Sequence, residues 1–93
     1  MKTKVSSMTS PKTGNPVANQ FIVSTPSYTL FQSYNSIIAK TNFEDGKRVV
    51  YLDEYYWNYS RTTSKYRNQF LGESTKQTED KIKNKTYLLT NLN

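Results

Sequence analysis

The sequence of 93 residues contains no cysteine and no histidine. The first absence excludes disulfides and thiolate metal sites, and the second removes the commonest metal ligand and the commonest general base. Glycine is scarce, with three isolated copies, so a glycine-rich phosphate loop cannot be assembled. No apolar run is long enough to span a bilayer. The opening residues, Met1-Lys2-Thr3-Lys4-Val5-Ser6-Ser7, lead into Ser, Thr and Pro without the apolar stretch of a secretory signal. A soluble intracellular protein with no membrane partner is expected.

Acidic residues are also few, seven against thirteen basic ones, giving a formal charge of +6. Half of that excess, +3, comes from Lys2, Lys4 and Lys12 among residues 1–19, which hold no acid. The remaining ten basic and seven acidic residues leave another +3 over residues 20–93. A dedicated duplex binder concentrates charge on one folded face, and this distribution does so only mildly. The adjacent acid pairs are Glu44-Asp45, which a turn explains; Glu79-Asp80, which helical ion pairing explains; and Asp53-Glu54, too little for a divalent cation site. No catalytic residues, no metal site, no cofactor and no enzymatic activity are expected.

What the chain does have is aromatics. Eight Tyr, four Phe and one Trp make up 14% of it, and seven of these thirteen lie between Tyr51 and Leu71. Residues 1–19 are rich in Ser and Thr, carry Pro11 and Pro16, and offer little to bury, so a flexible basic N-terminal arm is expected there. Residues 20–93 form a single α+β domain in this reading. Strands are predicted at Phe21–Thr25, Tyr28–Ser33, Ile37–Phe43 and Arg48–Leu52. Pro26-Ser27 turns the first pair, and Asp45-Gly46 is a strong hairpin signal for the last. The result is an antiparallel β-meander of about four strands, packed by two short helices, with a short C-terminal strand at Tyr87–Leu92. A chain this small hides only about 60–65% of its unfolded surface, so the core is thin.

Helical periodicity begins near Arg61. Tyr59, Thr63, Tyr66 and Phe70 share one face, while Arg61, Lys65 and Asn68 share the opposite one, with Arg67 to its side. Ser60, Thr62 and Thr63 are N-cap candidates, and Gly72 stands at the left-handed position that ends a helix. A second helix opens on Ser74, whose side chain with Gln77 matches a capping box. A helix-turn-helix is not expected, because its interior positions would hold Asn68, Glu73, Thr78 and Lys81.

The candidate interaction residues are therefore Tyr55, Tyr56, Trp57 and Tyr59, followed by Arg61, Lys65, Arg67 and Asn68. The aromatics admit three fates: core packing, stacking platforms for unpaired bases, or anchors of a protein interface, where Tyr, Trp and Arg are enriched. Adjacent residues on a strand point to opposite faces, so some of this aromatic surface stays exposed. The basic face can take anionic oxygens, or it can be an ordinary solvated helix face.

The motif Tyr56-Trp57-Asn58-Tyr59-Ser60-Arg61-Thr62-Thr63-Ser64-Lys65, closing on Phe70-Leu71-Gly72, together with Phe31–Ala39 and Tyr51-Leu52-Asp53, resembles a group of short phage-borne proteins of unknown function. The resemblance covers most of residues 20–93 and brings no activity, cofactor or site with it. It implies a bacteriophage or prophage protein working in the cytoplasm of a bacterial host. The expectation is a non-enzymatic accessory protein that binds a host or phage protein, in its most concrete form an inhibitor of a host defence nuclease or other nucleic-acid machine. The alternative is a single-stranded nucleic-acid binding module using aromatic stacking and the basic helix face. An exposed last strand also offers an edge at which two copies can pair into a homodimer.

Overall fold

The computed structural model describes residues 3–93. Its elements run β1 (Lys4–Thr9), β2 (Pro16–Ser24), β3 (Thr29–Ser33), β4 (Ser36–Glu44), β5 (Lys47–Asp53), α1 (Arg61–Leu71), α2 (Thr75–Lys83) and β6 (Tyr87–Thr90). The six strands form one sheet in sequence order. Neighbours are antiparallel from β1 to β5, while β6 lies parallel to β5. The α+β class, the meander, both helices and the C-terminal strand are as the residues predict. The strand count is six rather than about four plus one.

The added strand comes from residues expected to form a flexible arm. Met1 and Lys2 lie outside the described residues, but β1 pairs with β2 over Lys4 to Thr9, and β2 itself begins at Pro16. Counting buriable side chains misjudges an edge hairpin, whose cohesion comes largely from the backbone ladder. Both prolines sit where a strand tolerates them, Pro11 in the connecting turn and Pro16 at a strand's first residue. Strand alternation points Met8 inward, where it is buried in the core, and the pairing register shifts between Ser7 and Thr9. Gln69 on α1 donates from Nε2 to the Thr9 carbonyl at 3.0 Å, tying the hairpin to the helix layer.

The turns follow their chemistry. Asp45 and Gly46 both adopt positive φ, 53° and 76°, as a two-residue type I′ hairpin requires. Ser60 caps α1 by accepting from the Thr63 N–H at 3.1 Å, and Gly72 ends it with φ 72°. The Ser74/Gln77 capping box is complete, at 2.9 and 3.2 Å.

Both helices lie on the same face of the sheet, α1 over β3 and β4 and α2 against β6. The core between the layers holds Met8, Phe31, Ile38, Ala39, Val50, Leu52, Tyr66, Leu71 and Tyr87. Phe31 stacks on Phe70 with ring centroids 5.8 Å apart. Truncating Met8 to Ala removes a buried side chain of the N-terminal hairpin and is expected to cost about 2 kcal/mol. A urea titration of the variant checks this; a dispensable arm would leave the midpoint unmoved.

Candidate interaction surface

The site begins where β5 ends. Asp53 is fully buried, and its carboxylate accepts four hydrogen bonds. Oδ2 takes the N–H groups of Tyr55 and Tyr56 at 3.1 and 3.0 Å. Oδ1 takes the Leu92 N–H at 2.8 Å and Asn93 Nδ2 at 2.9 Å. Burial opposes ionisation of this carboxyl, but the four donors outweigh it and hold its pKa below the ordinary aspartate value. With every acceptor direction engaged, Asp53 is a structural cap. Among the described residues, no three His, Cys, Asp or Glu side chains gather in a metal-like cluster.

By capturing two successive N–H groups, Asp53 ends the strand and bends the chain into a turn, with the Trp57 N–H reaching the Asp53 carbonyl at 3.0 Å. The alternation expected of an extended 55–59 segment is therefore replaced by a turn that sorts the aromatics differently. Tyr56 and Trp57 are half-buried against the core, whereas Tyr55 and Tyr59 are 77% and 68% exposed. Tyr59 stands edge-on to Tyr56, centroids 5.5 Å apart, so it is outside the core face on which the helical period places it.

Arg67 corrects the sequence reading most. Expected beside the basic face, it is 0% exposed. Nη1 donates to the Trp57 carbonyl at 2.5 Å and to Asn58 Oδ1 at 3.1 Å. Nη2 donates to Asn68 Oδ1 at 2.9 Å and Thr75 Oγ1 at 2.8 Å. The guanidinium also lies 5.3 Å from the Trp57 ring centroid, within cation–π range. Burial lowers its pKa, with Glu73 and Glu79 pulling the other way, and it stays a cation at neutral pH. Asn68, another candidate, is half-buried and shared between Arg67 and Thr75.

Of the eight candidates, Arg67 is thus removed from the surface, and Asn68 is partly spent on structure. Arg61 and Lys65 remain exposed, and with Asn58, Ser60, Ser64 and Asn68 they line a shallow groove of about 700 Å³ along α1. Ser60 also borders a second cleft of about 610 Å³, walled by Tyr34, Tyr56 and Tyr59 and floored by Ser33 and Thr63. The two hollows meet at the N-terminus of α1, one cationic and one aromatic. The first turn of α1 carries no acid to offset its cations.

Tyr34 is the residue that sequence reasoning missed. It lies between β3 and β4 with φ 55°, a left-handed conformation uncommon for a bulky residue, and its N–H donates to the Asn19 carbonyl at 2.7 Å. A hydroxyl chain brings its turn beside α1: Ser60 Oγ to Thr63 Oγ1 at 3.1 Å, then Thr63 Oγ1 to Ser33 Oγ at 3.0 Å. The only hint in the sequence is the polar Tyr34-Asn35-Ser36 interruption, which signals a turn but not its neighbour.

Residues 3–86 match the family model of DUF8033, described as a family of unknown function. The chain belongs to that family. The DUF8033 match takes in β1 and the start of β2 together with the aromatic turn and both helices. Neither the curated proteins nor the solved structures yield a match to the chain.

Two outcomes follow from the site's charges. Lysine at position 67 cannot reproduce four planar donors or the Trp57 stack, so Arg67→Lys is expected to lose about 2–3 kcal/mol of stability and to red-shift Trp57 emission as the turn loosens, measured by urea unfolding and fluorescence. Asp53 and Glu73 both titrate below their ordinary values, Glu73 because donation from Lys81, Thr78 and Tyr87 outweighs its burial. Depressed carboxyl pKa values stabilise the fold above the unfolded-state pKa and lose that contribution as pH falls through the folded one. Stability is therefore expected to be level above about pH 5 and to decline below about pH 4. Thermal melts across that range check it, and Asp53→Asn should flatten the acid limb.

Proposed function

We propose that this chain is a non-enzymatic binding protein whose partner is another protein, held by the paired hollows at the N-terminus of α1. The observation that carries this reading is the pairing of Tyr34 and Tyr59, open to solvent, with the cations Arg61 and Lys65 at one helix end; Tyr55, also exposed, lines neither hollow. Tyrosine supplies large contact area at low entropic cost, and arginine is the other residue type concentrated at binding hot spots. A fitting partner segment offers an apolar or aromatic side chain to the tyrosine cleft and a carboxylate to Arg61 and Lys65. The strained φ of Tyr34 supports the reading, since strain of this kind gathers at functional sites.

The resemblance to small phage-borne proteins sets the proposal in a bacterial host's cytoplasm, with a host or phage protein as partner. No helix among the described residues is long and apolar enough to cross a membrane. A host defence nuclease is the most concrete candidate. Nuclease centres that use two divalent cations are carboxylate-rich, and the Arg61/Lys65 groove complements that charge.

Single-stranded nucleic acid is the second reading, favoured by the tyrosine-lined cleft beside cations. It is the weaker because burial of Arg67 leaves two cations at the site. Two neutralised phosphates give a salt slope of only about −1.4.

The test is capture from bacterial lysate with the full chain, alongside Tyr59→Ala and Lys65→Glu. A specific protein retained by the parent and weakened about tenfold or more by each substitution, with melting temperature unchanged, is the expected result. Capture indifferent to both substitutions would count against the assignment. Quenching of Trp57 emission by single-stranded oligonucleotide at low salt, lost at high salt, would transfer the site to nucleic acid.

A further inference from the structure

The helices cover one face of the sheet, and the cross-strand register shows what the other face carries. Paired residues share a side, so the chain of pairs Val5–Val23, Val23–Leu30, Leu30–Lys40, Lys40–Tyr51 and Tyr51–Leu88 forms one row across all six strands. This row is opposite to Phe31, Ala39 and Leu52, which lie beneath the helices. A flanking row adds Phe21, Gln32 and Ile37. None of these residues belongs to the core between the layers; Val5 and Leu88 are exposed, and Val23, Leu30 and Tyr51 are half-exposed. The thinnest extent of the molecule, 22 Å, accommodates one sheet and one helical layer.

Charge on this face is sparse. Apart from Asp53, which residues 92 and 93 contact, its strand positions bear only Lys40, Glu44 and Lys47, a net +1 of the chain's +6. Lys40 Nζ is held over the rings of Tyr28 and Tyr51, 5.0 and 5.7 Å from their centroids. Glu44 accepts from the Tyr51 hydroxyl at 2.7 Å. Both charges are thereby drawn onto aromatic neighbours on the sheet.

We infer that this face is the seat of a second copy of the chain, packed sheet against sheet. The six strands, four to nine residues long, give a face of roughly 600 Å² in plan, with Asn91 and Leu92 standing on it beside Leu30 and Lys40. That reaches the lower end of the roughly 600–1,000 Å² per partner that a stable interface buries. Two chains of charge +6 repel one another, and this face carries a net +1 of that charge.

The row also selects the geometry. A two-fold axis along the strands between β3 and β4 reverses the row, setting Val5 against Leu88, Val23 against Tyr51 and Leu30 against Lys40 of the second copy. The alternative axis, along the row, sets Lys40 against Lys40. The reversed arrangement is the one free of facing like charges, and face-to-face sheets at about 10 Å and about −30° accommodate it.

Sedimentation of the full chain from about 1 µM to about 1 mM tests the inference, with Leu30→Glu and Val5→Lys as variants. The expected result is a dimer that tightens with added salt, since salt screens the repulsion between copies, and whose dissociation constant rises at least about tenfold in either folded variant. Val5 lies on an edge strand and is 63% exposed, so Val5→Lys reports even where Leu30→Glu fails to fold. A chain monomeric at every concentration overturns the inference. So does a dimer indifferent to the folded variants, which would place the contact at the β1 or β6 edge.

Discussion

A buried guanidinium holds the aromatic end of this molecule together. Arg67 reaches no carboxylate; its partners are a carbonyl, two amide oxygens and a hydroxyl, with the Trp57 ring against its plane. An isolated buried cation is costly unless its donors are satisfied, and here neutral acceptors from three parts of the chain satisfy four of its five N–H directions, with Nε buried and unpartnered. Those parts are the turn at Trp57 and Asn58, α1 at Asn68, and the start of α2 at Thr75. The relative placement of turn and helices is thus set by one side chain's planar geometry, which lysine does not share.

Asp53 performs the complementary task with opposite charge. It closes β5, bends the following residues and gathers Leu92 and Asn93 to the same point. Between these two fixed ions the segment from Glu54 to Ser60 has little freedom, so Tyr55 and Tyr59 are presented from a stiff support. Preorganised aromatics lose little entropy on binding, which suits the protein-binding role proposed for this surface.

Much of this fold is legible in residue chemistry. Asp45-Gly46 demands a type I′ turn; Ser60 and Gly72 bracket a helix; Ser74 and Gln77 write a capping box; and alternation marks β2 to β5. Each is a local device whose cause lies within a few residues. What escapes is non-local. The N-terminal hairpin is held by backbone pairing and by Gln69 some sixty residues away, so composition reads it as an arm. Arg67 carries the same charge as Arg61, and only the meeting of turn, α1 and α2 reveals that one is inside and the other out. Tyr34 joins Tyr59 because Ser33 meets Thr63, a contact between hydroxyls of no distinctive pattern. Gln20 is likewise fully buried with neither amide atom bonded to the protein, and nothing in Ala18-Asn19-Gln20-Phe21 announces it.

The parallel placement of β6 has a consequence for the order of assembly. Strands β1 to β5 pair through hairpins whose loops close over a few residues, and such contacts form early and cheaply. The donors that complete the Asp53 cap lie 39 and 40 residues further along the chain, beyond both helices. Docking of β6 is therefore the long-range step, and it adds the last two donors to a cap whose first two, the Tyr55 and Tyr56 N–H groups, are local. A chain arrested before that step would have its five-stranded ladder paired and the Asp53 carboxylate buried with only half of its donors in place.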